Sequence, residues 1–178
     1  MNRHEIGDCS ADTHCSSIVV IGYGNPLRSD DGIGWRIAEV LRGRFDSSGI
    51  EVIQCHELTP EMAENMRRAA LVIFMDAATD GFPGEVRQRR LSGSGMNDSS
   101  PALSHGLTPE ALLALAAHLY GASPDAHLFT VCGRSFCHGE NFSPEVARAF
   151  PSVVAAIEGL LVEQQGLAFP PPEISRIA

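Results

Sequence analysis

The stretch Ile18-Val-Val-Ile-Gly22-Tyr-Gly24-Asn25-Pro26-Leu-Arg-Ser-Asp30-Asp31-Gly32-Ile-Gly34 decides the fold. It opens as an apolar, β-branched run, Ile18 to Ile21, of the kind found in strands buried on both faces. Gly22, Gly24 and Asn25-Pro26 then turn the chain sharply. After Asp30 and Asp31, the spacing of Ile33, Trp35, Ile37, Ala38, Val40 and Leu41 is helical. Two carboxylates therefore stand where a helix begins, beyond the end of a central strand. In open α/β sheets ligands bind at that place.

Outward from this stretch the same alternation repeats. Residues 50–55 predict a second strand. Thr59-Pro60-Glu61 predicts a capped helix to about Arg68, and Leu71 to Met75 a third strand that ends in Asp76. The first helix is expected from Asp31 to Arg42, with Gly43 as its stop. Glu85 to Arg89 suits an edge strand guarded by charge. Gly93 to Ser104 is a Gly/Ser-rich loop that delivers His105, and Thr108-Pro109-Glu110 caps a helix to Tyr120. Gly121 to Asp125 reads as a turn, Leu128 to Cys132 as the last central strand, and Ser143-Pro144-Glu145 opens a final helix to about Gln164, bent at Pro151. This is an α/β pattern: a three-layer α/β/α sandwich around a twisted, mostly parallel five-stranded sheet with one antiparallel edge strand. The expected domain plan is a polar arm over 1–17, one α/β domain over 18–165 and a Pro-rich tail over 166–178.

Composition narrows the function classes. The chain has 178 residues, a net charge of −9, and 13 basic residues that are all arginine. Such a surface does not attract nucleic acid or anionic lipid, no run reaches the length of a membrane span, and residues 1–17 lack the apolar core of a secretory signal. Cys9, Cys15, Cys55, Cys132 and Cys137 are odd in number and scattered, as expected of reduced thiols in a cytoplasmic protein. No pair has the Cys-x-x-Cys spacing of a structural zinc site.

The chemistry gathers at the carboxyl ends of the strands. Asp30 and Asp31 follow the first strand, Asp76 ends the third, and His105 precedes a helix. In a parallel sheet such positions converge. Two carboxylates and an imidazole suit a divalent metal, with coordination positions left open. Each residue also has an ordinary role: Asp30 or Asp31 as a helix cap, Asp76 as a turn hydrogen-bonder, His105 as a plain loop histidine. Gly22 and Gly24 lack the third glycine of the dinucleotide fingerprint, since Leu stands at position 27, and this undercuts Glu57 as a ribose-binding acid. Cys132, Cys137 and His138 suit a buried cysteine and two loop residues better than a nucleophile site. His4, Cys9, His14 and Cys15 lie where nothing would fix their geometry.

The run from Gly22 to Gly34, with its Gly-Asn-Pro and Asp-Asp-Gly elements, resembles the signature of the nickel-iron hydrogenase maturation endopeptidases. Val72-Ile-Phe-Met-Asp76-Ala77 resembles that family's second motif and Ser104-His105-Gly106-Leu107 its third. Gly133 to Val146 is similar to its closing segment. The resemblance spans residues 18–163 and implies an endopeptidase that trims the C-terminal extension of a hydrogenase large-subunit precursor after nickel delivery. It implies Asp31, Asp76 and His105 as metal ligands and catalytic residues, with nickel supplied by the substrate. Asp30 would cap the helix or orient the site, while Gly22, Gly24 and Asn25 shape the turn. No Ser-His-Asp arrangement is legible, so water is the expected attacking group. Cys137 and His138 stand where relatives carry acidic, aromatic or small residues. A monomer is expected. The alternative is a non-catalytic metal- or nucleotide-binding α/β accessory protein.

Overall fold

The computed structural model describes residues 18–45, 49–92 and 106–165. The expected arm, the tail, the Gly/Ser-rich loop and His105 lie outside the described residues. The elements are β1 (Ile18–Tyr23), a 3-10 turn (Ser29–Gly32), α1 (Ile33–Phe45), β2 (Ile50–Cys55), a second 3-10 turn (Pro60–Ala63), β3 (Leu71–Ala78), β4 (Val86–Leu91), α2 (Pro109–Tyr120), β5 (Asp125–Cys132) and α3 (Pro144–Gln165). The described strands form a five-stranded sheet in the order β2-β1-β3-β5-β4. β1 pairs in parallel with β2 and β3, β3 in parallel with β5, and β4 runs antiparallel to β5.

Strand alternation sends successive side chains to opposite faces, and both faces are covered. Ile18, Val20, Ile73 and Met75 pack with Ile33, Ile37 and Leu41 of α1 and Val153, Ile157 and Leu161 of α3. Val19, Ile21, Val72 and Phe74 pack with Leu112, Leu113 and Ala116 of α2 and with Ala63 and Met66. The continuous apolar run of β1 is therefore the mark of a strand buried on two sides. From β1 the chain passes outward to β2, whereas β3 lies on the other side of β1. The crevice between β1 and β3 at their carboxyl ends is thus the topological switch point, the usual ligand position in such sheets.

Several local expectations are corrected. Gly43 does not stop α1; the helix continues to Phe45, which is buried in the core. The helix expected to Arg68 is only a 3-10 turn over Pro60–Ala63, and Thr59 makes no side-chain cap bond there. Buried Met66 anchors the turns that follow, and a segment this short gains too little from helix propagation to offset nucleation. β5 starts at Asp125 rather than Leu128, because Asp125 pairs with Leu71 of β3, and His127 with Ile73 of β3 and Arg90 of β4. Asp76 lies within β3 rather than ending it. The cap of α2 is as read: the Ala111 N–H donates to Thr108 Oγ1 at 3.2 Å, and Gly121 closes the helix in the left-handed conformation.

What sets the crevice is the close approach of α1 to the strands. A Cβ on Gly34 would lie 2.2 Å from the Met75 carbonyl oxygen and 2.5 Å from that of Tyr23. A Cβ on Gly22 would lie 2.1 Å from the Gly34 carbonyl oxygen. The obstructing atoms are backbone, so neither side can yield cheaply. Gly34→Ala is expected to destabilise the fold by about 3 kcal/mol, at the upper end of overpacking costs, read as a lowered urea midpoint with an unchanged slope.

Candidate metal and active site

The turn between β1 and α1 is built by its own polar groups. Gly24 has φ +121°, and a Cβ there would sit 2.0 Å from the Asp31 carbonyl oxygen, so only glycine passes. Asn25 Oδ1 accepts the Leu27 N–H at 2.9 Å, and its carbonyl accepts the Arg28 N–H at 3.0 Å. The Asn25 N–H in turn donates to Asp31 Oδ2 at 3.0 Å, which fixes that carboxylate over the turn. The remaining N–H groups are also engaged: Gly24 donates to the His56 carbonyl, Ser29 to Gly139, Asp30 to Ser135 and Asp31 to Arg28. A phosphate-binding turn presents free N–H groups at this junction. This one presents carboxylate.

Asp30 is fully buried. It caps no helix: it lies inside the 3-10 turn, whose N-cap Arg28 makes no side-chain cap bond. Its Oδ2 accepts the N–H groups of Arg134 at 2.8 Å and Ser135 at 2.9 Å, and its Oδ1 accepts that of Ser143 at 2.7 Å. Burial works against the charge, but these backbone donors outweigh it and hold the carboxyl below its usual range. Asp30 thereby fastens the segment between β5 and α3 to the first turn. The Arg28–Gly139 bridge and the Ser29 hydroxyl, which donates to the Cys137 carbonyl, complete the seam.

Asp76 lies across the crevice. Gly22 pairs with Met75 in the β1–β3 ladder, so Tyr23 and Asp76 are the next neighbours and share the α2 face. The Tyr23 hydroxyl hydrogen-bonds the Asp76 carboxylate, and the Ala77 N–H donates to Asp76 Oδ1 at 2.7 Å. Burial, reinforced by the nearby charge of Asp31, pushes the Asp76 carboxyl up to about 6 despite those two donors. Burial and the Asp76 charge also push the Tyr23 phenol up, so it stays a donor. Among the described residues neither Asp31 nor Asp76 makes an ion pair.

The structure therefore brings two of the three expected ligands, Asp31 and Asp76, to one crevice. The third, His105, lies outside the described residues; Gly106 to Thr108 lead into α2 on the same face as Asp76. Among the described residues no group of three His, Cys, Asp or Glu side chains could hold a metal. Two carboxylates facing one crevice could supply oxygen ligands to a divalent metal. Cys137 and His138 are exposed in the seam, Cys132 is buried in β5, and Glu57 is exposed. Sequence reasoning passed over Tyr23 and the anchoring role of Asp30.

No protein-family model matches the chain, and no curated protein sequence does. Solved structures do. The [NiFe] hydrogenase maturation protease HycI from Thermococcus kodakarensis is similar with a TM-score of 0.68 at 22% identity, over 82% of this chain and 92% of that one. The hydrogenase 2 maturation peptidase from a Thaumarchaeota archaeon is similar with a TM-score of 0.60 at 26% identity, over 85% of this chain and 99% of that one. The chain has the fold of the hydrogenase maturation proteases. The maturating endopeptidase HybD from E. coli shares it too, with a TM-score of 0.63 at 23% identity over 83% of this chain and 93% of that one. The three-layer hydrogenase-protease fold thus holds the motifs from which the resemblance was read.

Two predictions concern these carboxylates. Asp30→Ala strands three inward-pointing N–H donors and is expected to cost about 3–5 kcal/mol, at roughly 1–3 kcal/mol for each group left unsatisfied and some recovery by water; chemical denaturation measures it. Asp76 titrates higher in the folded protein than unfolded, so its stabilising contribution is full below pH 3.8 and is lost as pH rises through about 6. In metal-free protein Asp76→Asn is therefore expected to raise stability by about 2 kcal/mol at pH 7.5 and to change it little at pH 4, as thermal melts at the two pH values would show.

Proposed function

We propose that the protein is an endopeptidase that removes the C-terminal extension of a nickel-iron hydrogenase large-subunit precursor, acting after nickel is inserted and recognising that metal in the substrate. The observation that carries this reading is the pair Asp31 and Asp76, brought to one crevice at the switch point of a hydrogenase-protease fold, where among the described residues neither makes an ion pair. Two carboxylates facing one crevice fit an enzyme that adds ligands to a metal already seated in its substrate. Asp31, Asp76 and His105 would add ligands from the protease side. Nickel would supply Lewis-acid polarisation at the scissile bond, and water would attack. Asp31 accepts the Asn25 N–H and Asp76 the Ala77 N–H, so each carboxylate carries one backbone constraint before the substrate arrives. We place the enzyme in the cytoplasm as a monomer. No helix among the described residues is long and apolar enough to cross a membrane.

The engaged N–H groups of the first turn speak against the nucleotide-binding alternative. A phosphate would meet the carboxylate of Asp31 and find no free amide between Gly24 and Asp31.

Incubation with a precursor large subunit, with and without nickel, tests the proposal by mass spectrometry. The nickel-loaded precursor is expected to lose a C-terminal peptide and the nickel-free one to stay intact. Asp76→Ala and His105→Ala are each expected to lower the trimming rate by at least about 100-fold, within the range for loss of transition-state stabilisation, while the melting curve shows a folded protein. A wild-type enzyme that leaves the loaded precursor untouched would end the proposal.

A further inference from the structure

The last residue of β1, between Gly22 and Gly24, is tyrosine. Its side chain is half-buried against the α2 layer, and its place in the ladder sets it beside Asp76, because Gly22 and Met75 are partners one residue earlier in parallel strands. Both side chains point to the face that α2 covers. The hydroxyl reaches the Asp76 carboxylate. Cys55 pairs with Tyr23 on the β2 side, and Glu110 lies close enough at the start of α2 for its charge to be felt. Neither is a cation, and among the described residues Asp76 has two hydrogen-bond donors, the Ala77 N–H and the Tyr23 hydroxyl.

We infer that Tyr23 is a positioning residue for the reaction: its hydroxyl, standing across the β1–β3 ladder from Asp76, fixes the orientation in which that carboxylate faces a metal held by the substrate. This rests on the trimming activity proposed above. The backbone N–H of Ala77 constrains Oδ1, but a single donor leaves the carboxylate free to swing about it. A second donor from a different strand removes that freedom. Partners of this kind behind a ligand change metal affinity or activity by about 10–100-fold when removed. Phenylalanine keeps the ring and its packing and deletes only the donor, so Tyr23→Phe isolates the effect.

The experiment has two arms on the full chain. In the first, metal-free protein carries tyrosine labelled with carbon-13 at Cζ, and the Tyr23 resonance is compared between wild type and Asp76→Ala. A bonded phenol is expected to shift when its acceptor is removed; an unmoved resonance would overturn the inference. In the second, the trimming kinetics of nickel-loaded precursor are compared between wild type and Tyr23→Phe. The expected result is a kcat lowered about 10-fold with KM within twofold and an unchanged melting temperature. A folded Tyr23→Phe protein with wild-type kcat would overturn the inference. Tyr23→Met, apolar and without the hydroxyl, carries the same test should Tyr23→Phe fold poorly. If wild type trims nothing, the proposed function fails, and the first arm still decides whether Tyr23 holds Asp76.

Discussion

A buried carboxylate that makes no ion pair among the described residues is the constraint on which the rest of this structure depends. Asp30 is fully enclosed, and three backbone N–H groups from the segment between β5 and α3 converge on it. A buried charge is tolerable only when its lone pairs are satisfied, so this segment must close onto the first turn for either to be stable. The turn and the seam therefore form together. Once closed, they leave the neighbouring residue, Asp31, facing the crevice under the Asn25 N–H. Two adjacent aspartates thus take opposite tasks: one is turned inward and consumed by the fold, the other is turned outward and left available.

The glycines set the distances within which this works. Gly22, Gly32 and Gly34 allow the turn, the start of α1 and the ends of β1 and β3 to approach to backbone contact. With the helix drawn that close, the loop after β1 and the carboxyl end of β3 share one crevice, and Asp31 and Asp76 feel each other's charge. Their mutual repulsion is a cost to the fold. Site and scaffold are therefore the same set of contacts seen from two sides.

Much of this was legible in the sequence, and the limits have physical causes. β1, α2 and the caps of α2 were readable because their signals are local: β-branched runs, Thr-Pro-Glu, a closing glycine. Asp31 and Asp76 were readable because sheet topology alone brings the strand ends together. The anchoring role of Asp30 was not, since its donors lie 104 to 113 residues away in a loop with no periodicity. Tyr23 was hidden for another reason. Between two glycines a tyrosine looks like packing, and only the register of β1 against β3 sets it beside Asp76. The missed boundaries follow the same division. Gly43 reads as a stop until the burial of Phe45 two residues on carries the helix through it, and Asp125 reads as the end of a turn until Leu71 of β3 pairs with it.

The antiparallel strand β4 has a bearing on how another chain can approach. Arg87, Arg89 and Arg90 are each tied to carboxylates, on Glu85 and Asp80, on Glu110, and on Asp125. A peptide that joined the sheet as a sixth strand at this border would have to crowd past those guanidinium groups and disturb their partners. Ladder pairing at that border is thereby discouraged; the opposite border of the sheet is β2. At the strand ends the backbone offers no regular row of donors and acceptors, so a chain bound there must be gripped by individual side chains.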